Sequence, residues 1–93
     1  MKTKVVKFMI DNEHLKTNCL VNATFSAPGM GGMPVKVTKD LLYEDCALTG
    51  TGNLYIKGCD PENLREYVIG ASKIHQLNGM DQATIERLYP EML

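Results

Sequence analysis

The sequence predicts an α+β fold, a small antiparallel sheet of about four strands with two C-terminal helices packed on one face. Three observations carry that reading. Residues 17–26 alternate apolar and polar side chains with a period of two. Residues 60–78 and 81–89 each open on a capping Asp and carry one apolar stripe. The chain has 93 residues, which suits one domain, mainly strands over 1–59 and a helical hairpin over 60–93.

The elements follow in chain order. Val6, Phe8 and Ile10 alternate with Val5, Lys7 and Met9, which reads as a first strand. Asp11-Asn12-Glu13-His14 is rich in turn formers and joins it as a hairpin to the next. In that next strand Cys19, Val21, Ala23 and Phe25 share one face, and Leu20, Asn22, Thr24 and Ser26 the other. Val35 and Val37 mark a further strand, and residues 52–58, bracketed by glycines, mark another. Residues 38–48 fit either a strand or a short helix capped by Thr38 and carrying Leu41, Leu42 and Cys46; the reading leans to a brief helix or irregular crossing.

The C-terminal third carries the firmest local signals. Asp60 is a preferred N-cap, because its carboxylate accepts the unpaired amides of a first helical turn. Pro61 suits the first helical position, where its missing N–H costs nothing. Leu64, Val68, Ala71 and Ile74 then fall on one helical face. Asn78-Gly79 supplies a left-handed stop. Asp81 caps the second helix, whose face is Ile85, Leu88, Tyr89 and Met92, with Pro90 ending or kinking it. A sheet covered on one face only leaves the other open. Leu20, Met9 and Tyr55 are placed there, and a second copy of the chain is the expected partner.

Composition narrows the function classes. A net charge of −1 creates no field that recruits nucleic acid or anionic membrane. No apolar run is long enough to span a bilayer, and Lys7 and Asp11 interrupt the only N-terminal apolar stretch, so a cytoplasmic location is expected. Cys19, Cys46 and Cys59 are odd in number and form no C-x-x-C pair, which suits free thiols packed as small core hydrophobes. No cofactor or metal is expected. A Met30-x-x-Met33 copper site would need clustered Cys or His beside it, and none stands there.

Residues 26–34 are the stretch with functional character, with glycines at 29, 31 and 32 between Pro28 and Pro34. Glycines let backbone amides converge on an anion, although no Gly-Lys-Ser/Thr ending completes a nucleotide fingerprint. Met33 and Met30 are adaptable apolar contacts. Arg65 and Arg87 are the only arginines, and with Lys73 they are the natural donors to an anionic group. The candidate ligand-binding residues are therefore Gly31, Gly32, Met33, Arg65, Lys73 and Arg87, with no catalytic residue assigned. The leading expectation is a non-enzymatic binding module, accessory or phage-like in character. It acts as a homodimer or higher oligomer and takes a small, nucleotide-like anion or a protein partner. The alternative is a DNA-binding or regulatory protein using a helix-turn-helix around Gly79, against which stands the acidic face of the second helix. A small enzyme with Cys46 or Cys59 as nucleophile near His75 comes third.

Overall fold

The computed structural model describes Met1–Leu93. Its elements are α1 (Thr3–Asp11), β1 (Leu20–Pro28), β2 (Pro34–Leu48), β3 (Leu54–Cys59), β4 (Glu66–Gly70), β5 (Ile74–Leu77) and α2 (Gln82–Leu88). The α+β class stands. The sheet has five antiparallel strands in the order β4-β3-β2-β1-β5, and the helices stand at opposite ends of the sequence.

The N-terminal segment is a helix, where alternation had suggested a strand. Val5, Val6 and Met9 are buried together, the spacing of a helical face. Met9 is thus core and does not lie on the open face. The turn formers that follow end this helix and do not close a hairpin: Asp11 is the last helical residue, Glu13 takes a left-handed φ of 59°, and the amides of His14 and Leu15 both donate to the Met9 carbonyl.

β1 is the alternating strand that was expected, with Val21, Ala23 and Phe25 inward. Residues 38–48 are strand throughout. They merge with the Val35–Val37 strand into one β2 of 15 residues. Short apolar periodicity could not reveal this, because β2 has two consecutive partners, β1 over 34–42 and β3 over 42–48. A bulge between Tyr43 and Asp45 marks the change of partner, and bulges bend strands.

The largest correction falls on residues 60–78. Asp60 does cap, accepting from the Glu62 amide, but it closes a single turn that Leu64 ends at φ 61°. Tyr67, Val68 and Ile69 then favour the extended chain, and pairing with β3 satisfies it. A short 3-10 turn at Ala71–Lys73 leads into β5. Asn78 and Gly79 do take left-handed φ values of 53° and 77°, but they form a two-residue hairpin turn closed by Leu77 and Met80. The helix-turn-helix therefore lacks its first helix. The second helix forms after its expected cap, Asp81 accepting from the Thr84 amide, but it ends at Leu88, and only part of its expected apolar face is buried. Its buried residue is Ile85, whereas Leu88 is 54% exposed.

The chain crosses from one sheet edge to the other, β4 to β5, through only Ala71–Lys73. Four steps of extended chain span at most about 14 Å. The outer strands of a flat five-stranded sheet would lie about 19 Å apart. The sheet must therefore roll, and the Phe25 and Tyr67 rings, on strands not adjacent in it, meet at 4.5 Å between centroids. The rolled face encloses the core of Leu41, Ile56, Ile69, Ile74 and Leu77, covered by Val5, Val6 and Met9 of α1 and Ile85 of α2. Gly58 is part of this packing, because a Cβ there would lie 2.9 Å from the Leu41 Cβ. No helix is long and apolar enough to cross a membrane.

Candidate functional site

The structure disperses the residues singled out in the sequence. Gly31, Gly32 and Met33 sit at the tip of the β1–β2 hairpin, which projects from the barrel and helps give the molecule extents of 47 × 29 × 20 Å. The tip glycines have conformational reasons to be there. Gly31 and Gly32 take φ values of 71° and 78°, and a Cβ on Gly29 would meet the Met33 carbonyl at 2.8 Å. Arg65 lies at the base of this arm, in a groove shared with Pro28, Lys39, Asp60 and Tyr67. Lys73 lines a different cleft, with Ser26 and Lys36. Arg87 is on α2, where its charge acts on Asp81. No single ligand site joins these groups.

The arm has two unlike faces, because register pairs Ala27 with Val35 and Phe25 with Val37 on one side, and Ser26 with Lys36 and Thr24 with Thr38 on the other. The apolar side is a continuation of the core face. Inside the barrel it is Val21, Ala23 and Phe25, all buried. Beyond the barrel it runs on through Ala27 and Val37 to Val35, 46% exposed, and Met33, 71% exposed; Met30 at the tip is 97% exposed. No acidic residue occurs between Glu13 and Asp40.

The groove at the arm's base is held electrostatically. Lys39 Nζ donates to Asp60 Oδ2 at 2.6 Å and to Glu62 Oε2 at 3.1 Å. Asp60 is buried, and Lys39 together with the Glu62 amide holds its carboxyl below the usual carboxylate range. This cluster is internally satisfied and explains Asp60 as a structural anchor.

Two groupings were not visible in the sequence. Glu44, at the β2 bulge, comes against Glu66 of β4, which pairs with Lys57 at 3.3 Å. Burial, then the shared hydrogen bond with Glu66, raises the Glu44 carboxyl above its ordinary value, while Lys57 and Glu44 lower that of Glu66. One Glu44 oxygen is buried without a partner. The carboxylate beside Glu44 is thus not its chain neighbour Asp45 but one from another strand. The second grouping is a chain of short contacts, Thr38 to Thr24 and Thr24 to His75 Nε2, each 2.7 Å.

The cysteines are unpaired and half-buried, outside the deepest core. Burial and nearby carboxylates push the Cys59 thiol up, away from the thiolate a nucleophile requires. His75 is on β5, separated from Cys59 on β3 by β2 and β1 in the sheet order. His14 instead packs on Tyr89 at 4.5 Å and on Phe8 at 5.8 Å, tying the C-terminal segment to α1. The chain matches no family model, no curated protein and no solved structure.

Proposed function

We propose that the chain is a non-enzymatic binding module that self-associates through its projecting arm. The observation that carries this reading is the apolar core face continuing past half-covered Ala27 onto Val35 and Met33, both exposed. The ribbon presents the same stripe in every copy, so two arms laid face to face cover each other by two-fold symmetry. Lys36 points from the opposite face, so the stripe meets its twin without like charges opposed. An adaptable Met-bearing surface also suits a different protein partner, and that outcome is distinguishable. The net charge of −1 and the absence of a two-helix DNA reader weigh against nucleic acid as the partner.

Sedimentation equilibrium at micromolar concentration tests the reading. Wild type should be dimeric or larger. Val35→Glu and Met33→Glu should each yield monomers with an unchanged circular dichroism spectrum, and Lys36→Glu, on the other face, should leave assembly intact. A monomeric wild type overturns self-association.

A further inference from the structure

A second feature, independent of the arm's apolar stripe, is the seam where the rolled sheet fails to close. β1 continues through Thr24–Pro28 beyond Ala23, its last residue paired with β5. β4 pairs with β3 alone. These two unpaired edges face one another across a cleft of about 220 Å³, lined by Thr24, Ser26, Lys36, Val68, Gly70 and Lys73 among others.

The hydrogen-bond register shows what the edges present. Asn78 N–H donates to the Leu20 carbonyl on the β5 side of β1, and Gly29 N–H to the Met33 carbonyl on the β2 side. Alternation along an antiparallel strand then points the amides of Thr24 and Ser26 toward the seam. Asp60 N–H donates to the Arg65 carbonyl, which likewise turns the amides of Val68 and Gly70 outward from β3. Both walls therefore offer N–H groups, each beside the carbonyl of the same residue.

Size and charge decide what fits. An inserted strand pairing with both edges needs about 9.5 Å, two ladder spacings. The Cα atoms of β1 and β4 approach within 8 Å, so the slot excludes a strand. Its volume is also below the about 300–1,000 Å³ of sites for drug-sized ligands. Lys7, Lys39 and Lys57 are in ion pairs, but Lys36 and Lys73 are in none, and no carboxylate lines the slot. The Ser26 hydroxyl also has no partner, whereas that of Thr24 is engaged by Thr38 and His75. The slot thus carries two unpaired lysines, a free hydroxyl and outward amides, and its acceptors are neutral main-chain carbonyls and hydroxyls with no carboxylate among them.

We infer that the seam slot binds a small oxyanion, the phosphate group of a compact molecule. Lys36 and Lys73 supply charge, and the outward amides of β1 and β4 supply directed donors. Lysine serves phosphate as a point charge, and a tetrahedral group presents oxygens to both walls at once. The neutral overall balance of the chain does not oppose this, because the site acts over a few ångströms and not through a long-range field.

Titration of inorganic phosphate at constant ionic strength, followed by amide NMR, tests the site. The amides of Thr24, Ser26, Val68 and Gly70 should shift together and saturate at one phosphate per chain. Lys36→Gln and Lys73→Gln should each weaken binding about tenfold or more, the loss of one charged contact. Lys16→Gln, remote from the slot, should leave it unchanged. Spectra otherwise matching wild type establish that each variant is folded. No saturable shift into the millimolar range, or equal weakening by Lys16→Gln, overturns the inference. Arm variants such as Val35→Glu should bind phosphate normally, so this result and the oligomeric state are read separately.

Discussion

Two strands, β1 and β2, run through both the rolled sheet and the arm, yet their apolar face meets different surroundings in each. In β1, Val21, Ala23 and Phe25 are covered by helices and by the rolled sheet; two residues further on, Ala27 is only half-covered, and Val35 opposite it is exposed. The local sequence does not change character at this boundary. What changes is the supply of partners: β5 pairs with β1 only up to Ala23, and β3 pairs with β2 only from Leu42. An alternating strand is therefore core or docking surface according to what the rest of the chain brings to it.

The comparison is broken first at the barrel. Ile85→Ala removes a fully buried side chain and should cost about 2–5 kcal/mol in urea denaturation, whereas the neighbouring helix residue Leu88, exposed, should tolerate the same change with little loss. Equal losses at both positions would mean that α2 packs differently.

Acidification should come next. Lys39 and the Glu62 amide hold the folded Asp60 carboxyl below its unfolded value. Its stabilisation is complete above the ordinary carboxylate range and disappears as pH falls through the lowered folded value. Asp60→Asn should therefore flatten the acid limb of melting temperature against pH. Glu44 works in the opposite sense, since its raised carboxyl favours the folded state at lower pH and loses that contribution as pH rises through the folded value. Glu44→Gln should remove that decline.

A smaller effect is expected at the hairpin turn before α2. Gly79 has φ 77°, and Gly79→Ala should cost about 1–2 kcal/mol, the penalty of a side chain in the left-handed region. A neutral result would require a different turn. The smallest effects belong to the arm. Met30→Ser and Met33→Ser should change the unfolding free energy of the isolated chain by no more than about 0.5 kcal/mol, while weakening self-association. A large loss of monomer stability would show that the tip packs onto the barrel and would remove the contrast on which the binding reading stands.

The residue-level signals divide by range. Asp81 caps α2, Asp60 accepts from the second amide after it, Asn78 and Gly79 are left-handed, and β1 alternates, all as their local chemistry dictates. These conformations depend on atoms only a few residues apart. Which element each belongs to was often decided elsewhere. The Asp60 cap opens one turn and not a helix because β3 recruits Tyr67, Val68 and Ile69. Asn78-Gly79 closes a hairpin because β5 has β1 to pair with. Val6, Phe8 and Ile10 alternate with Val5, Lys7 and Met9, but Val5, Val6 and Met9 also form a helical face, and the core selects the helix.

The candidate sites follow the same division. The sequence by itself marked the glycines of the arm tip, the exposed methionines and Lys73, and it showed that charge is balanced. It could not bring Lys36 beside Lys73 or Glu44 beside Glu66, because those pairs exist only through strand register and a bulge. Nor could it show that a three-residue crossing at Ala71–Lys73 rolls the sheet. Local propensity acts through neighbours in the chain, whereas the seam and the bare stripe of the arm arise from the number and reach of the strands, quantities set only when the whole chain has paired.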